Sequence, residues 1–135
     1  EKADEEQVLL AEMDEAKQAE IEQKRKDEQL LATYESREDV IRVFSKKISQ
    51  IDQSIGILKA RDESLTQKLK RLNNKYKQTK DESSRVTLSM QISNAKDSLS
   101  EYQKAITMNH VDKKVMTGQY RKTLIRFDHL SASDH

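Results

Sequence analysis

From Ile41 onward the apolar residues of this chain return at alternating steps of three and four. The series is Ile41, Phe44, Ile48, Ile51, Ile55, Leu58, then Asp62, then Leu65, Leu69, Leu72 and Tyr76. A mean step near 3.5 keeps one stripe of a helix turned toward a partner helix, which is the signature of a coiled coil. The stripe extends backwards to Tyr34 and Leu30. A second series runs Leu88, Ile92, Ala95, Leu99, Tyr102, Ile106, Asn109, Lys113, Met116, Tyr120, Thr123, Phe127 and Leu130. It has the same rhythm, with polar intruders at Asn109, Lys113 and Thr123.

The two frames are out of phase by two residues, and residues 78–84 between them carry no apolar side chain. Ser, Thr and Asp in that stretch are helix-start residues, because their oxygens accept from free backbone N–H groups. A turn is therefore predicted near 79–84. If the chain reverses near residue 82, facing positions add to 164. Tyr76 then meets Leu88, Leu72 meets Ile92, Leu65 meets Leu99, Ile48 meets Met116 and Phe44 meets Tyr120. Asp62 meets Tyr102, whose hydroxyl is placed to bond the carboxylate. Asn109 and Lys113 face Ile55 and Ile51, a weaker match. The rival is one continuous helix in a parallel dimer, which must cross the two-residue frame slip.

The predicted fold is thus all-α: a long antiparallel helical hairpin, a coiled coil over 34–130, preceded by an acidic N-terminal helix over 1–33. Residues 131–135 read as a flexible tail. The chain holds 2 Gly, no Pro and 34% hydrophobic residues in 135, against roughly 45–50% apolar for an ordinary globular domain. A sheet-rich fold is nearly excluded. The N-terminal helix has only a short stripe, Leu9, Met13 and Ala16, and gains little from burial, so it should fray unless a partner covers it. Ser36-Arg37-Glu38-Asp39 resembles a capping box that restarts the helix. A helix running straight through is the alternative.

Charge is segregated. Residues 1–29 hold 5 basic and 11 acidic groups, a net of −6, and residues 67–85 hold 7 and 2, a net of +5. The whole chain nets +1. The basic cluster is a predicted tip: Lys68, Lys70, Arg71, Lys75, Lys77, Lys80 and Arg85. Such a tip suits nucleic-acid phosphates or an anionic membrane surface. Its bland reading is a solvated hairpin end. A second feature is apolar and lies off the seam: Met108, Val111, Val115, Gly118 and Ile125, flanked by Leu124, with Val40 and Val43 on the first arm. An exposed stripe of this kind marks an assembly surface, to be covered by the N-terminal helix, a second copy or another protein. Gly118 permits close helix approach there, or is simply tolerated.

Nothing in the chain reads as catalytic, cofactor-binding or metal-ligating. There is no Cys, no Gly-rich phosphate loop, and no two His stand at i, i+4 among His110, His129 and His135. No apolar run approaches the ~18 residues of a membrane span. The chain opens on Glu1, as a fragment or a processed product does, so any targeting segment is expected to lie outside it.

Residues 30–40, Leu-Leu-Ala-Thr-Tyr-Glu-Ser-Arg-Glu-Asp-Val, resemble a segment of uncharacterised proteobacterial exported coiled-coil proteins. The pattern there is Leu-Leu-x-Thr-Tyr-x-Ser-x-x-Asp-aliphatic, followed by two long helices. The close Arg126-Phe127-Asp128-His129-Leu130 is similar to the aromatic-then-Leu ending of that group. The resemblance covers about residues 8–130. It implies a signal peptide and a periplasmic or envelope location, the cytoplasm being the alternative, and it implies no activity. The expected function is a non-enzymatic scaffold, spacer or adaptor acting through helix assembly, as a homo-oligomer (a dimer) or with an envelope protein. Two alternatives stand: a nucleic-acid-binding arm using the basic tip, and a periplasmic adaptor or chaperone-like hairpin that docks a partner by its tip.

Overall fold

The computed structural model describes residues 1–133, and they form three α-helices with no strand: α1 (Lys2–Thr33), α2 (Arg37–Gln78) and α3 (Glu82–Ser133). The chain divides into two compact units. One joins Glu1–Val43 with the C-terminal segment from Tyr120, and the other is Phe44–Gln119.

The breaks between the helices have local causes. Tyr34 is extended and its N–H bonds the Leu30 carbonyl, which closes α1. The Ser36 hydroxyl then accepts from the Asp39 N–H at 3.2 Å, and the Asp39 carboxylate accepts from the Glu35 N–H at 3.2 Å. These two bonds, a variant of the capping box, start α2 afresh, so the straight-through alternative does not hold. Arg42 and that N–H hold the Asp39 carboxyl below its usual range, Arg42 most. At the other end Thr79 bonds back to the Lys75 carbonyl through both its N–H and its hydroxyl. Asp81 caps α3, accepting from the Ser84 N–H at 3.0 Å and the Ser84 hydroxyl at 2.7 Å. The turn is residues 79–81. It needs no glycine, because no described residue has positive φ.

In the unit Phe44–Gln119, α2 and α3 pack as a hairpin. The Lys113 ammonium pairs with Asp52 at 2.7 Å, the Asn109 amide donates to the Ser54 hydroxyl at 2.9 Å, and the Arg85 guanidinium lies 4.4 Å above the Tyr76 ring. Partner numbers fall along α3 as they rise along α2. The first two pairs lie within one residue of the predicted 164 register. The two deviate in opposite directions, so the register is kept and the polar intruders Lys113 and Asn109 each reach sideways to a polar neighbour of the Ile they were expected to face. The expected Tyr102–Asp62 bond does not form, and Asp62 instead accepts from the Thr66 hydroxyl at 3.4 Å.

Every residue of both 3–4 series is buried or half-buried, and most other positions on α2 and α3 are exposed. Ile55, Leu88 and Ala95 are buried within this unit, and Phe44 at its edge. Most of the remaining seam is half-buried, since two helices shield one stripe each and no third layer covers the flanks.

The other unit joins the last turns of α1, the start of α2 and the end of α3. Val40 is fully buried and Phe127 nearly so. Arg37 pairs with Asp128 at 3.1 Å, and Arg126 holds Asp27 through two bonds of 2.9 and 2.6 Å. From Glu1 to Lys26 every residue of α1 is exposed. At the C-terminus α3 continues through Ser133, so 131–133 of the expected tail are helical, and 134–135 lie outside the described residues.

Two neighbouring isoleucines test the seam. Ile55 is 6% exposed and Ile57 is 55% exposed. Ile55→Ala should lower unfolding free energy by about 2–4 kcal/mol, and Ile57→Ala should change it by less than about 0.5 kcal/mol. Urea denaturation followed by circular dichroism reads both, and equal effects would refute the seam.

Candidate functional site

The seven basic residues of the predicted tip all fall in the unit Phe44–Gln119, on the last turns of α2, the turn and the first turn of α3. All are exposed. Among the described residues no ion pair engages any of them. Arg85 alone is held, stacked on the half-buried Tyr76 ring. That stack covers one face of the only aromatic ring in the cluster. Beside it runs a shallow open groove lined by Tyr76, Lys80, Glu82, Arg85, Val86 and Ser89. Asp81 makes no ion pair with the cluster: its carboxylate accepts from Ser84, which holds its pKa below the usual range and keeps it charged, so it offsets one of the seven bases.

The predicted apolar stripe divides. Met108, Val111 and Val115 are exposed on α3 in the unit Phe44–Gln119. Ile125, 64% exposed, belongs to the other unit. Val40 must be removed from this surface: it is fully buried, because the restart of α2 at Ser36 turns it into the core of its unit. Val43 is half-buried in the same unit, as is Leu124. Gly118 is not a point of close helix approach within the chain. A Cβ built there meets no atom within 4 Å, and the same holds at Gly56. Residues 1–26 of α1 are exposed throughout.

Sequence reasoning missed three features. Ile57, Val86 and Met90 are exposed apolar residues outside the seam. Val86 and Met90 lie where the first heptad frame extends past the turn, which is a usable signal. Val8 and Leu10 join Leu9 and Met13 as an exposed apolar cluster on α1. The third is the Asp27–Arg126 pair, whose partners stand 99 residues apart with no sequence mark. Asp27 does share a frame of three and four steps with Leu9, Met13, Ala16 and Leu30.

Arg126 pulls the Asp27 carboxyl down from 3.8 to about 2, helped by Gln23 and His129. The native pKa is depressed, so this stabilisation is complete above about pH 4 and is lost as pH falls toward 2. Arg126→Gln should raise the Asp27 pKa toward 3.8 in an NMR carboxyl titration. An unchanged value would show that the pair does not persist in solution.

Among the described residues no three His, Cys, Asp or Glu side chains cluster to hold a metal ion, and no helix is long and apolar enough to cross a membrane. His135 lies outside the described residues. No protein-family model, curated protein or solved structure matches the chain.

Each helical glycine stands in open space, so Gly118→Ala should raise stability by about 0.5–1 kcal/mol through helix propensity alone. A melting temperature that falls would place a close-packed neighbour at Gly118.

Proposed function

We propose that this chain is a non-enzymatic helical scaffold that works by presenting long helices to other helices, with α2 and α3 forming an antiparallel coiled coil. One observation carries this reading. The chain has more apolar helix surface than its own fold shields: Val8, Leu9, Leu10, Met13 and Ile21 on α1, and Met108, Val111, Val115 and Ile125 on α3, are all about half exposed or more. Isolated exposed apolar residues are ordinary, but runs at helical spacing on long helices are what partner helices cover. The half-buried seam points the same way, because further helices alongside would complete its shielding. The segment 30–40 supports placing the scaffold in the periplasm or envelope, by its resemblance to exported proteins.

A specific observation favours a second reading. Seven exposed bases without an acidic partner suit docking by the tip, onto nucleic acid or onto a protein.

Ile125→Asp should lower the mass measured by light scattering at high protein concentration while far-ultraviolet circular dichroism is kept. An unchanged mass would remove Ile125 from the assembly surface. Wild type that is monomeric at every concentration would sink self-assembly altogether.

A further inference from the structure

We infer that the exposed face of α1 in one copy docks on the basic tip of a second copy. The inference rests on the scaffold reading and names its partner as this same chain.

The face on α1 is defined by its own packing. Asp27 and Leu30 are its sheltered positions, and steps of three and four lead back from them to Ala16, Met13 and Leu9. The side of α1 that packs at its C-terminal end therefore continues for several uncovered turns. Leu9 and Met13 stand one turn apart and are about half exposed. Glu5, Glu6 and Glu12 stand three or four residues from Leu9 and flank this face. Residues 1–22 carry nine acidic and two basic groups, a net of −7.

The tip offers the complement in both charge and shape of apolar surface. Val86 and Met90, again one turn apart, are 57% and 63% exposed on α3. The groove of Arg85 and Lys80 runs beside Val86, and the segment 67–85 nets +5. Among the described residues, the eight acids from Glu1 to Glu20 and the seven tip bases form no ion pair at all. Residues 1–26 of α1 are exposed, and the inferred contact joins two copies. Opposed fields of this kind steer association and fix register, while the apolar pairs supply the area.

Nucleic acid fits the same bases less well. It leaves Leu9, Met13, Val86 and Met90 without a role, and finds one face of the Tyr76 ring already covered by Arg85.

The test is a charge exchange in the full-length chain, read as mass by analytical ultracentrifugation. One variant reverses the tip (Lys70→Glu, Arg71→Glu, Lys75→Glu). The other reverses α1 (Glu5→Lys, Glu6→Lys, Glu12→Lys, Glu15→Lys). Wild type should exceed its 15.7 kDa monomer at 50 mM salt, and its apparent Kd should rise about tenfold or more by 500 mM as screening sets in. Each variant alone should be monomeric and helical, and an equimolar mixture should recover the wild-type mass, because each supplies what the other lacks. That recovery cannot come from misfolded variants. Wild-type mass persisting in both variants alone would overturn the α1–tip contact and leave the scaffold reading standing. Monomeric wild type at 50 mM salt would overturn the α1–tip contact and self-assembly with it, leaving a scaffold for other proteins. A mixture that stays monomeric, with a duplex oligonucleotide bound by wild type and not by the tip variant, would assign the tip to nucleic acid instead.

Discussion

Half-burial along the α2–α3 seam is the condition on which the rest of the molecule depends. Two helices meeting along one stripe shield that stripe from each side and nothing more. Ile55, Leu88 and Ala95 are buried, while Ile48, Ile51, Leu58, Leu65, Leu69 and Leu72 stay half-buried. At roughly 25 cal/mol per Å², partly shielded residues yield only part of their transfer free energy. The seam compensates by length. Polar intruders are tolerated for the same reason: Lys113 and Asn109 sit at the rim, reach Asp52 and Ser54, and leave no buried side-chain polar atom unpaired among the described residues.

The unit that gathers the end of α1, the start of α2 and the end of α3 obeys a different rule. A third helix is present there, and Val40 becomes fully buried although it lies off the heptad frame. Charge reinforces that packing, with Arg37 on Asp128 and Arg126 on Asp27. The Arg126 pair is the better sheltered, and its Asp27 is the group whose acidity is moved to about 2.

The seam, its register and the turn were legible in the sequence because they are local and periodic. Spacing alone sorts Ile55 from Ile57, and the apolar gap at 78–84 places the reversal. The basic tip was legible too, as a run of like charge. What the sequence could not disclose depends on a third helix. Val40 reads as surface when only two helices are counted, and Asp27–Arg126 joins positions that no repeat connects. Gly118 reads in the sequence either as a point of close approach or as a tolerated glycine, and the open space around it favours the second. The helix restart at Ser36 was an even choice in the sequence, and the bonds from the Asp39 N–H to the Ser36 hydroxyl and from the Glu35 N–H to the Asp39 carboxylate decide it.

The tight reversal at 79–81 also orders the events of folding. Tyr76 and Arg85 are nine residues apart, Ser54 and Asn109 are 55 apart, and Arg37 and Asp128 are 91 apart. Loop-closure entropy grows with the length of chain left open. Joining 37 to 128 in one step closes the whole intervening chain. Once 52 and 113 are joined, only fifteen residues on each arm remain to be gathered. Assembly outward from the Asp81 cap therefore replaces one long search by a succession of short ones, and a chain rich in half-buried contacts keeps the low effective contact order of a zipper.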